Sequence, residues 1–199
     1  MQPTSNWRFL RLALIILFFD QLTKLLVLKY LGFAEEKNVV PGFFKLVHWG
    51  NTGAAWSMFT GNNGMLAGIA VAALIILLLT RHHFNVHTVA GQISLGLIVG
   101  GISGNLLDRL LPSRQHVIDF LYFYVIRRDG LTAGFPAFNV ADSAICVGVG
   151  LLFILSWRTP PEPLLATETK PNLASAAPAP GPPKLDRAGS SLGKAGGRG

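Results

Sequence analysis

Apolar residues gather along this chain into four long runs, Trp7 to about Leu28, Met65 to Leu79, Val89 to Leu107 and Ala137 to Trp157, with polar stretches between them. At ~1.5 Å per helical residue each run reaches across most or all of a ~30 Å hydrocarbon layer, which predicts four transmembrane helices. Asp20 and Lys24 interrupt the first run and no small-residue cleavage site follows it, so a removable secretory signal is the poorer reading. Phe43 to Trp49 combines β-forming residues with alternation, and Asn51-Thr52-Gly53 reads as a turn. Val117 to Ile126 is a second such stretch, closed by Asp129-Gly130. Paired, the two form a small β-rich extracytoplasmic cap on an otherwise all-α membrane protein. From Thr159 onward Pro, Ala, Gly and Ser replace the apolar periodicity. The expected organisation is a four-helix membrane domain over 1–158 and a disordered cytoplasmic tail over 159–199.

Composition argues against a water-soluble domain, and the gathering into four runs against one large buried core: 50% of the residues are hydrophobic and 14% charged, where a soluble domain carries about a quarter charged. The net charge of +7 does not point to nucleic acid, because the bases flank the runs or lie in the tail. Arg8, Arg11, Arg81 and the tail place both termini in the cytoplasm by the positive-inside rule. Cys146 is the single cysteine, which excludes an internal disulfide, and it reads as a core residue of the fourth helix.

Ionisable residues carry the chemistry, since a charge in hydrocarbon needs a partner or a function. Asp20 lies thirteen residues beyond Trp7, ~20 Å along the first helix and so in its outer half. Asn105, Asp108 and Arg109 close the third helix, and Asn139, Asp142 and Ser143 open the fourth at the same depth, with Asp119 on the connection between them. The i, i+3 and i, i+4 spacings give each helix one polar face. Together they describe a cleft at the membrane surface where two carboxylates meet, one keeping its proton while the other accepts one from water. That pairing suits metal-free amide hydrolysis.

Simpler roles compete for several of these residues. Asp20 and Lys24, at i, i+4, suit a neutralising ion pair, and Asp108 beside Arg109 suits an interfacial salt bridge. Gly96, Gly100 and Gly104 suit close helix contact. His82, His83 and His87 read as a solvated loop rather than a metal triad, and no metal or other cofactor is expected. Two other functions stay open: a proton-coupled carrier, which needs polar groups through the full bilayer depth, and a noncatalytic adaptor acting through its basic tail.

Five segments also resemble the bacterial lipoprotein signal peptidases, or signal peptidase II: Phe19-Asp20-Gln21-Leu22-Thr23-Lys24, Asn51-Thr52-Gly53-Ala54-Ala55-Trp56, Gly100 to Arg109, Val117-Ile118-Asp119-Phe120 and Phe135 to Ser143. The resemblance covers roughly residues 7 to 157. It implies an inner-membrane aspartic endopeptidase that cuts prolipoproteins before a diacylglyceryl-modified cysteine near the periplasmic face. Asp119 and Asp142 match the family's catalytic dyad, with the acid and base roles open between them. Asn51, Gly53, Asn105, Arg109 and Asn139 match positions that line or support the substrate site, while Asp20 matters for integrity, with Lys24 and Asp108 beside it. The implied partners are the diacylated precursor and membrane lipids, and the expected form is a monomer. Trp56 stands where Phe is commoner in the family, and the Pro/Ala-rich tail is longer than usual.

Overall fold

The computed structural model describes residues 7–53, 61–84 and 86–158; Trp56 and the tail expected beyond residue 158 lie outside them. The elements are α1 (Trp7–Tyr30), β1 (Glu36–Val40), β2 (Phe44–Asn51), α2 (Asn63–Leu79), α3 (Val89–Leu110), β3 (Val117–Ile126), β4 (Thr132–Gly134) and α4 (Val140–Arg158), with a 3-10 turn at Arg81–Phe84. Side-chain caps set three helix starts. Asn62 accepts from Met65 N before α2, Thr88 accepts from Gly91 N before α3, and Asn139 accepts from Asp142 N before α4.

α3 is the central helix, packed between α1 and α4. Small residues allow this, because helices surrounded by apolar neighbours gain from backbone proximity more than from burying large side chains. Gly100 lies so close to α1 that a methyl group there would stand 2.7 Å from Ala13 O and 2.8 Å from Ile16 Cβ. On the other flank a methyl at Gly101 would stand 2.5 Å from Ala141 O of α4. Neighbours rising together, Phe9 at Gly96 and Ala13 at Gly100, make α1 parallel to α3. Ala141 at Gly101 and Gly148 at Ser94 make α4 antiparallel. Gly100→Val is therefore expected to lower stability by about 1–3 kcal/mol through overpacking, read as a lower thermal midpoint in detergent; an unchanged midpoint contradicts the seam.

The strands form one antiparallel order, β1-β2-β3-β4. Asp119 on β3 lies opposite Trp49 on β2, after a register shift between Leu46 and Trp49. Ile118 and Phe120 turn into an apolar cluster with Val27 of α1, which seats the sheet on the end of the bundle where α1 finishes. Tyr124 Oη accepts from Gly42 N at 2.9 Å and stands 3.2 Å from Asn38 Oδ1, strapping the β1–β2 hairpin to β3.

Two expectations need correction. The fourth helix starts at Val140 rather than Ala137, because Phe138 N donates to Leu121 O at 3.1 Å and Phe138 O accepts from Leu121 N at 2.9 Å, holding that stretch against β3. Cys146 is exposed rather than part of the core, since α4 buries Ala141, Ala144 and Gly148 against α3 and turns Cys146 outward. Leu14, Phe18, Ile76, Leu79 and Phe153 are likewise more than half exposed, leaving a broad apolar exterior. By length and composition α3 and α4 are apolar enough to cross a membrane. α2 has 17 residues, and α1, with 24, carries Arg8, Arg11, Asp20, Lys24 and Lys29.

Candidate active site

β3, the end of α3 and the start of α4 bring the expected site residues together. Asp119 is 3% exposed. Its two oxygens accept from neutral amides: Oδ2 from Asn51 Nδ2 at 2.8 Å and Oδ1 from Asn139 Nδ2 at 2.9 Å. Asn51 in turn uses its own Oδ1 to accept from Gly53 N at 2.9 Å, so a local turn aims its NH2 group at the acid.

Asp142 is held as the third residue of a capping box. Asn139 Oδ1 accepts from Asp142 N at 2.9 Å, while Asp142 Oδ2 accepts from Asn139 N at 3.1 Å. Its other oxygen accepts from Asn105 Nδ2 at 2.7 Å. Asn139, fully buried, therefore touches both acids, one through its side chain and one through its backbone. It is the cap of α4 rather than a member of a helical face, so the expected i, i+3 face is a reciprocal cap instead.

A second polar cluster lies beside the first and has a different character. Lys24 Nζ donates to Asp20 Oδ2 at 2.8 Å and to Asn105 Oδ1 at 3.0 Å, and stands 2.7 Å from Asp108 Oδ2 as an ion pair. Arg114 pairs with the other oxygen of Asp108, and Gln21 bridges Asp20, Asp108 and Gly104 O. Asp20 also accepts from Ala141 N at 3.0 Å, where the start of α4 favours a negative charge. Two acids and two bases thus cancel at full burial or close to it. The expected Asp20–Lys24 pair is present. The Asp108–Arg109 pair is not: consecutive helical residues point apart, so Asp108 faces Lys24 and Arg114 while Arg109 faces away.

Arg109 donates to Gly53 O at 2.8 Å and to Asn63 Oδ1 at 3.3 Å, while Asn63 Nδ2 donates to Arg109 O at 2.9 Å. It ties the turn after β2 to the start of α2. Sequence reasoning missed Gln21, Asn63 and Arg114 as members of this network. Gln21 stands between Asp20 and Lys24 in the first run, whereas Arg114 lies outside every apolar run and no local spacing links it to Asp108.

The partner sets separate the four carboxyls. Asp20 and Asp108 face cations, whereas Asp119 and Asp142, among the described residues, are hydrogen-bonded by amides alone. Burial pushes the Asp119 carboxyl up to about 7, and the charge of nearby Asp142 adds to the rise; bonds from Asn51 and Asn139 and the charge of Lys24 oppose it. A buried carboxyl of this kind keeps a proton near neutrality beside a second acid, the setting of acid and base groups that work as a pair.

A helical bundle with an apolar exterior, a sheet on one end and buried carboxyls at that end has the form of a membrane enzyme. The chain belongs to the signal peptidase II family: the family described as Signal peptidase (SPase) II matches residues 12–158. A lipoprotein signal peptidase of Symbiobacterium thermophilum is 43% identical over 146 residues, spanning 72% of this chain and 90% of the relative. That of Bacillus subtilis is 35% identical over 143 residues, spanning 72% and 88%. A solved bacterial membrane enzyme, determined by the in meso method at 1.9 Å resolution, superposes with a TM-score of 0.63 at 27% identity, covering 76% of this chain and 94% of that one. Another, at 2.3 Å, gives the same score at 28% identity, covering 75% and 87%. The family is one of proteases that process lipoprotein signal peptides.

Proposed function

We propose that this chain is an intramembrane aspartic endopeptidase that removes signal peptides from prolipoproteins by cutting before a diacylglyceryl-modified cysteine, with Asp119 and Asp142 as its reacting pair. The contrast between two ion-paired acids and two amide-held acids supports this most. In this reading all four helices cross the bacterial inner membrane, with both termini and the tail over 159–199 cytoplasmic. The charges within α1 are tolerable because Asp20 and Lys24 neutralise each other. The pair then lies near the periplasmic face, and the working form is a monomer. Asn51, Gly53, Asn105, Arg109 and Asn139 line or support the peptide path. Among the described residues, Gln92 and Ser94 bond to Val86 O and Ala90 O rather than to a longer polar chain, which favours hydrolysis over proton transport.

The reaction needs one proton on the pair. The ionised carboxylate takes a proton from water as the water oxygen bonds to the scissile carbonyl carbon, while the protonated acid gives its proton to the carbonyl oxygen. The resulting diol collapses: the first acid passes its new proton to the departing nitrogen, the C–N bond breaks, and the second recovers a proton from a diol hydroxyl. The pair ends as it began. The exposed apolar belt gathers the substrate, since each buried methylene contributes ~0.8 kcal/mol and a diacylated precursor stays in the membrane plane.

Purified protein in detergent is expected to convert a diacylated prolipoprotein to a product whose new N-terminus is the lipidated cysteine, read by mass spectrometry. Equal cleavage of an unlipidated precursor, or cleavage at another bond, defeats the substrate assignment. The pH profile is a separate check. Burial pushes the Asp119 carboxyl from its usual 3.8 up to about 7, so the pair still holds its proton in about half of the molecules at neutrality and loses it as pH rises further. Cleavage should therefore fall on the alkaline side of about pH 7, while the folding stability contributed by this raised group should decline earlier, as pH rises from its ordinary 3.8 to about 7, and level off above that. A rate still climbing well above that range contradicts a shared proton. Chelators should leave the rate unchanged, because amide hydrogens already occupy the carboxyl oxygens.

A further inference from the structure

At the end of the bundle opposite the carboxyls, α1 and α3 enclose a groove of about 320 Å³. Arg8, Arg11, Leu12 and Ile15 form one stripe of α1 along it, at i, i+3, i+4 and i+7. Gln92 and Ile93 face them from α3. Both helices begin at this end, so two positive dipole ends add to the two guanidinium groups, and the first turns of α1 and α3 contain no acid. An arginine pair at a helix start is locally unfavourable, and here no carboxylate among the described residues pairs with it. Gln92 is 1% exposed; its Nε2 donates to Val86 O at 2.8 Å, while its Oε1 has no hydrogen-bond partner among the described residues.

We infer that this groove binds an anionic phospholipid of the cytoplasmic leaflet, one whose head group also carries hydroxyl donors. The phosphate meets Arg8 and Arg11, a head-group hydroxyl satisfies Gln92 Oε1, and the first methylenes lie on Leu12, Ile15 and Ile93. A volume near 320 Å³ accommodates a head group and the start of its chains, and the remaining chain lies along exposed α1 residues such as Phe18. The inference rests on the bilayer placement proposed above and is independent of the peptide chemistry.

Native mass spectrometry of protein released from nanodiscs containing dioleoyl phosphatidylglycerol and dioleoyl phosphatidylcholine reads the preference directly. Wild-type protein should retain phosphatidylglycerol selectively. Arg8→Gln and Arg11→Gln should each reduce that selectivity about fivefold, and Ile93→Trp, which fills the apolar part, should lower retention of the lipid itself. All three variants should still cleave prolipoprotein in detergent at near the wild-type rate, which shows that they are folded and separates this inference from the peptidase reading. Selectivity unchanged in the Arg8→Gln/Arg11→Gln double variant overturns it. So does displacement of the lipid by millimolar inorganic phosphate, which would mark a site for free anions.

Discussion

Asp119→Asn and Asp142→Asn should each reduce cleavage of a lipidated prolipoprotein by about 10²–10⁴-fold, the usual worth of a positioned acid or base. Either change removes one of the two acids proposed to share a proton while leaving side-chain volume nearly intact. The structural consequences differ, which makes the pair informative. At 119 the new amide meets two amide donors, Asn51 and Asn139, so one contact is lost or must reorient. At 142 the change also touches the cap of α4, where a lost cap contributes about 0.5–2 kcal/mol to stability. Asp142→Asn should therefore melt lower than Asp119→Asn, while both are inactive. Near-normal turnover by either variant, with a cooperative melt, would remove that residue from the chemistry.

Lys24→Met should be the most destabilising substitution in the bundle. It leaves Asp20 without a cation and Asp108 with Arg114 alone, both carboxylates being fully buried. Stranding a buried charge in this way costs about 3–5 kcal/mol, so the detergent-solubilised variant should lose its cooperative melt or unfold many degrees lower. Adding Asp20→Asn should restore part of the loss, because it removes the stranded charge. Activity should suffer even where folding survives. Lys24 and Asn139 both donate to Asn105 Oδ1, which turns the Asn105 NH2 group toward Asp142. A single variant as stable as wild type would show that the cluster is not what holds α1 to α3.

Much of this was legible in the residues themselves. The helical runs, the full extent of β3 and the helix contact along Gly96, Gly100 and Gly104 follow from apolar clustering, β-forming residues and small-residue spacing. β1 and β4 did not stand out, because every residue in them is exposed and no burial alternation marks them. Cys146 was misjudged for a reason general to bilayer proteins. Lipid-facing and core-facing positions are equally apolar, so hydropathy does not tell which side of α4 packs, whereas Ala141, Ala144 and Gly148 do. The gathering of Asp119, Asp142, Asn105 and Asn139 at one depth was readable from helix direction alone. The Asp20–Lys24 pair was readable from its spacing as well, but the cations of Asp108 were not, since Arg114 reaches Asp108 only through the fold of the segment between α3 and β3.

Asn139 and Asp142 complete the opening turn of α4 with the same atoms that fix one of the two acids proposed to react. Scaffold and reagent are in that sense one object. A descendant of this gene that drifted toward an inert cousin could not discard the acid quietly, because the loss would fray a helix as well as silence an activity.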